Sequence, residues 1–168
     1  MDVKQQRRKT IRIIVTVLII LTLAFIWGHS CMPREQSGEE SSFVKEVIDA
    51  VIQSVTGNES LDISEAVVRK SAHLFEFGFI GIEFALWVML SEKMSSNRKG
   101  RKIFVFALIF SVLTASIDET IQIFSGRYPS VFDVCLDTVG AAAGIGILLL
   151  IRKLHLKKHS KRESASNA

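Results

Sequence analysis

The residues best suited to chemistry sit inside apolar surroundings. One apolar stretch carries His73, Glu76 and Glu83, with Arg69 and Lys70 at its start. A second carries Asp118, Glu119 and Gln122, and a third carries Asp133 and Asp137. An ionised carboxylate facing hydrocarbon costs about 2.5–3.5 kcal/mol on the insertion scale. So many in three stretches must face one another or water. His73, with an ordinary pKa of about 6.5, suits acid–base work. Asp118 and Glu119 are its candidate partners in catalysis. Lys70 and Arg127 can hold an anionic group such as a phosphate. Glu76, Gln122, Asp133 and Asp137 complete the candidate ligand-binding set. Hard cations also prefer carboxylate oxygens, so Asp118, Glu119, Asp133 and Asp137 can instead hold a divalent ion. Ion pairing with Arg69, Lys70 and Arg127 is the structural alternative. No zinc motif, phosphate loop or nucleophile elbow is present, so no metal ligands and no cofactor are assigned.

Spacing decides whether these groups can share faces. Lys70, His73 and Glu76 step by three, and Glu83 follows seven later on the same stripe. Asp118 and Gln122 are four apart, as are Asp133 and Asp137. One polar stripe per helix lets three stripes converge. At about 1.5 Å of rise per residue, most of these groups fall at similar depth near one end of their helices, with Glu83 alone near the middle. A serine or threonine of the next stretch, Ser111 or Thr114, is the expected partner of Glu83.

The elements that position them follow from hydropathy. The chain has 168 residues, 48% hydrophobic, with 21 Lys+Arg and 17 Asp+Glu. Its mean hydropathy is +0.31. A hydrocarbon core of about 30 Å needs roughly 20 apolar residues in helix. Residues 11–27, 72–90, 103–124 and 131–151 meet that length. The fold class expected is all-α: a polytopic bundle of four transmembrane helices plus an amphipathic outer helix. That outer helix is read from Phe43, Val44, Val47, Ile48, Val51, Ile52 and Val55, which recur at helical spacing. It lies on the membrane surface, caps the bundle or forms a lid.

Lys and Arg flank the apolar runs, which points to a membrane rather than to nucleic acid. Lys4, Arg7, Arg8, Lys9 and Arg12 precede the first span. Lys93, Arg98, Lys99, Arg101 and Lys102 lie between the second and third. Arg152, Lys153, Lys157, Lys158, Lys161 and Arg162 follow the last. Cytoplasmic loops carry this excess. The expectation is a multi-pass cell-membrane protein with both termini cytoplasmic and the polar site facing outward. The chain then divides into a basic N-terminus (1–10), an anchor (11–28), an extracytoplasmic segment (29–70), a three-helix core (71–152) and a disordered cytoplasmic tail (153–168). A cleaved signal peptide is the competing reading of the first span, because Ser30–Cys31 follows it. Gly140 and Gly144 give the fourth span a small-residue face for close helix packing, or for a second copy of the chain. Cys31 and Cys135 fall on the same side, so a disulfide between them is conceivable.

The run from Lys70 through His73 and Glu76 to Gly78 resembles the first signature of the VanZ-like membrane family. The run Asp118–Glu119–x–x–Gln122, the Gly126–Arg127 turn, and Asp133 through Gly140 resemble the second. The resemblance covers roughly residues 70–150. By position it carries over Lys70, His73, Asp118, Glu119, Gln122, Arg127, Asp133 and Gly140. The chain departs from the pattern in two places: the family commonly has a tyrosine near Phe77 and an asparagine where Asp137 stands. The resemblance implies a bacterial membrane protein of the cell envelope, influencing sensitivity to glycopeptide antibiotics of the teicoplanin type. Its partners would be membrane lipids and a lipid-linked envelope precursor or lipoglycopeptide. The alternative it leaves open is an intramembrane hydrolase or transferase acting on a lipid-linked substrate.

Overall fold

The computed structural model describes residues 3–32, 42–50, 53–54, 64–91, 100–126 and 128–166. Four long helices dominate: α1 (Val3–Ser30), α3 (Glu65–Leu90), α4 (Gly100–Phe124) and α5 (Val131–Ser166). A short helix, α2 (42–50), precedes α3. Each long helix contains a segment apolar and long enough to cross a membrane: Gln5–Ser30, Ala66–Leu90, Gly100–Phe124 and Val131–Lys158. The chain is an all-α polytopic bundle, as its hydropathy requires.

α3 is the central element, packed against α5, α4 and α1. Phe77, Ile80, Ile103 and Ile145 are fully buried between these helices. Phe79, Leu113 and Val139 point away from the bundle and are mostly exposed. In lipid this outward apolar surface is the expected state, because acyl chains are as apolar as leucine. At the end opposite the α4–α5 connection, Trp87 of α3 ties α1 in place. Its indole Nε1 donates to Thr16 Oγ1 at 3.1 Å. The Arg12 guanidinium lies 4.6 Å over the same ring.

Glycine sets the α3–α5 spacing. A Cβ on Gly140 would overlap the Leu74 carbonyl, and one on Gly144 would overlap that of Gly78. The small-residue face, which the sequence also offered to a second copy, is therefore occupied by α3 of the same chain. α4 ends through Gly126, whose φ of +75° is the left-handed conformation that closes a helix. α5 begins at Ser130, whose hydroxyl accepts from the Asp133 backbone N–H at 3.3 Å, an N-cap.

Three expectations change. The tail is not disordered: α5 continues to Ser166. Residues 152–166 contain neither glycine nor proline and are rich in Lys, Arg and Leu, which favour helix. Glu83 does not bond to Ser111 or Thr114, because those hydroxyls donate to the carbonyls of Ala107 and Phe110 on their own helix. Its partner is on α1, where Thr22 Oγ1 donates to Glu83 Oε1 at 3.0 Å. Cys31 and Cys135 are free thiols, not a disulfide. The helix expected from Phe43 to Val55 is helical over 42–50 and 53–54. Val51, Ile52, Val55 and residues 33–41 and 92–99 lie outside the described residues.

Candidate functional site

α3, α4 and α5 bring their polar stripes together at the end of the bundle that carries the α4–α5 connection, hereafter the turn end. A cavity of about 190 Å³ opens there. α3 contributes Arg69, Lys70 and His73 to its wall; α4 contributes Glu119 and Gln122. α5 contributes Asp133, Leu136 and Asp137, and Tyr128 closes one side from the connection. Six of the nine candidate residues therefore share one cavity wall. Asp118 lies behind it, fully buried. Arg127 lies outside the described residues.

Glu76 is placed differently. It lines two neighbouring apolar grooves rather than the polar cavity. One, of about 430 Å³, runs between α2 and α3, with Val44 and Ile48 facing Val67, Val68 and Phe75. It shares Arg69 and His73 with the polar cavity. The other, of about 360 Å³, lies between α1 and α3 along Leu21, Phe25 and Phe79. Val44 and Ile48 are one turn apart on α2, so one apolar face of α2 lines this groove beside the site.

Hydrogen bonds give each acidic residue a distinct setting. Lys70 Nζ donates to Asp133 Oδ1 at 2.7 Å, an ion pair with both side chains partly exposed. The same ammonium lies 4.8 Å over the Phe132 ring. Glu119 Oε2 accepts from the backbone N–H of Ser130 at 2.8 Å. It straps α4 to the first residue of the α5 cap. Asp118 is held by two neutral donors. Ser30 Oγ donates to Oδ1 at 2.6 Å, and Gln122 Nε2 donates to Oδ2 at 2.9 Å. Asp137 is 1% exposed, and its Oδ2 has no hydrogen-bond partner among the described residues. Among the described residues no carboxylate forms an ion pair with Arg69.

His73, Asp118 and Asp137 come together most closely. One ligand-capable atom of each lies within 4.8 Å of the other two. An imidazole and two carboxylates at that distance can exchange protons or share a cation.

Ser30 is the site residue that the sequence analysis missed. It is fully buried and belongs to α1, which was read only as an anchor. Beyond its bond to Asp118, its carbonyl accepts from Ser125 Oγ at 2.7 Å, so the tip of α1 is tied to the end of α4. Hydroxyls in apolar helices commonly bond to their own backbone, as Thr16 does to Arg12. Nothing in the spacing distinguishes Ser30 from such a residue.

Comparison with curated proteins and with solved structures returns no match. Comparison with protein families matches residues 15–152 to the family described as VanZ/LLP1. The match begins within α1, so the family region includes the helix that supplies Ser30 and Thr22, not only the three helices that carry the signatures. With most of its length matched, and the signature residues Lys70, His73, Glu119, Gln122 and Asp133 lining one cavity of a four-helix membrane bundle, this chain belongs to the VanZ/LLP1 family.

Proposed function

We propose that the polar cavity receives the anionic headgroup of a membrane-anchored amphiphile of the bacterial cell envelope. Through this the protein influences sensitivity to glycopeptides of the teicoplanin type. The observation that carries the reading is the adjacency of two unlike spaces. The cavity presents Arg69 and Lys70, and the apolar groove beside it shares Arg69 and His73. An amphiphile has the same division. Its headgroup would meet the guanidinium, which has no carboxylate ion-pair partner among the described residues. Its acyl chain would lie along Val67 and Phe75. The Lys and Arg distribution supports an extracytoplasmic turn end, the side on which envelope precursors and glycopeptides would meet it.

A hydrolase or transferase acting on a lipid-linked substrate is the second reading, and the closeness of His73 to Asp118 favours it. Asp118→Asn keeps shape and separates the two readings. An unchanged phenotype at equal expression removes catalysis and leaves binding in place.

The direct test is native mass spectrometry of the full chain in nanodiscs made from its host's lipids. The expected result is a retained lipid with an anionic headgroup. Its occupancy should fall roughly 10-fold or more in Arg69→Ala, as expected for loss of a charge-assisted hydrogen bond of about 1.5–3 kcal/mol. Ala72→Trp, which fills the groove, should displace it as well. Retention of lipids in bulk proportion by the wild type would overturn the reading.

A further inference from the structure

Three helices deliver His73, Asp118 and Asp137 to one point. Asp118 and Asp137 are both essentially buried. The hydrogen bonds to Asp118 come from a hydroxyl and an amide, neither of them charged. Asp137 Oδ2 has no donor among the described residues. The nearby ammonium of Lys70 is engaged with Asp133. Two buried carboxylates this close repel strongly at low dielectric, so a positive charge between them is strongly favoured.

We propose that His73, Asp118 and Asp137 form a binding site for a first-row divalent cation such as zinc or manganese. One imidazole nitrogen and two carboxylate oxygens make a ligand set that such ions accept. At metal–ligand distances of about 2.0–2.2 Å, tetrahedral ligand atoms stand roughly 3.5 Å apart. The three atoms here already lie within 4.8 Å of one another. Small rotations of the Asp137 carboxylate and the His73 ring close the remaining gap. Ser30 and Gln122 orient Asp118 as outer-shell partners of a ligating carboxylate. Gly140, one turn beyond Asp137, lets α5 approach the Leu74 carbonyl beside His73. Three protein ligands leave a further coordination position. Because His73 and Asp137 line the cavity, that position faces it and would take water or an anionic oxygen. The ion site stands apart from the amphiphile reading, since either can hold if the other fails.

The full chain, purified in detergent with a chelator and then desalted, is titrated with Zn²⁺ alone or Mn²⁺ alone. Bound metal is measured by elemental mass spectrometry. The expected result is one ion per chain, with affinity reduced at least 10-fold to 100-fold in Asp137→Asn and His73→Gln. His155→Gln, which removes an exposed histidine far along α5, should leave the affinity unchanged. Pulsed electron paramagnetic resonance of Mn²⁺ on the wild type should show coupling to one histidine nitrogen. This reads the site even if a variant does not fold. No stoichiometric ion on the wild type, binding unaltered by Asp137→Asn, or bound Mn²⁺ without nitrogen coupling would each overturn the proposal. Asp137→Asn that raises thermal stability in a wild type binding no metal would indicate a shared proton and also overturn it.

Discussion

On its α5 side, α3 meets backbone. The Gly144 and Gly140 positions leave no room for a Cβ against the carbonyls of Gly78 and Leu74. One turn further along, a Cβ on Gly81 would stand 2.6 Å from the Ala141 carbonyl oxygen. On its α1 side, α3 is held by side chains. These include the Trp87–Thr16 and Glu83–Thr22 hydrogen bonds, and a groove of about 360 Å³ remains between the helices. Close backbone contact resists rearrangement because any shift creates overlap or a void. Side-chain contacts can exchange rotamers. The seam with α5 therefore fixes the relative positions of His73, Lys70, Asp133 and Asp137. The looser α1 side can rearrange without disturbing them.

The sharpest way to break this contrast is at Gly144. Gly144→Leu forces α5 off α3 and should cost about 3 kcal/mol, at the upper end of overpacking effects. Heating in detergent, with soluble folded protein as the readout, measures it. A wild-type melting profile would sink the account of the seam. Ser30→Ala comes next, at about 2 kcal/mol, because it removes a donor from a buried carboxylate. By the same assay it should also increase protease sensitivity of α1 while leaving α3–α5 packing intact. A loss confined to α5 would contradict the assignment. Gly146→Ala is the smallest effect. Nothing lies within 4 Å of a Cβ there, so gained helix propensity should stabilise by up to about 1 kcal/mol. If Gly146→Ala destabilises as much as the Gly144 variant, the seam is not specific to the positions facing α3.

How much of this was legible depended on what hydropathy and period can carry. The four spans follow from run length, since few other folds tolerate such stretches. His73, Glu119, Gln122, Asp133 and Asp137 stood out because an ionisable or amide group in an apolar run must find company. Their i,i+3 and i,i+4 spacing put them on stripes able to meet. Gly140 and Gly144 were readable as close packing, but not the partner that fills them, since a small-residue face does not name its neighbour. Ser30 and Thr22 were not readable, because a hydroxyl can satisfy itself on its own helix. Only the position of α1 makes them partners of Asp118 and Glu83. Glu119 was expected beside His73 as an acid or base. It lines the cavity with His73, and one of its oxygens also secures the Ser130 amide, a role that spacing could not show because it depends on the bend between α4 and α5. The α5 extension to Ser166 was misread because polarity alone does not oppose helix when good helix formers supply it.

The strap from Glu119 to Ser130 acts as a gear between α4 and α5. Each residue of an α-helix advances its side chains by about 100° around the axis. One residue added between Ser130 and Asp133, with the strap still engaged, would turn Asp133 and Asp137 by that angle and bring their neighbours inward. The count of residues from the strapped amide to the two acids therefore sets their angular phase at once, whereas a residue added before Ser130 would be taken up in the bend.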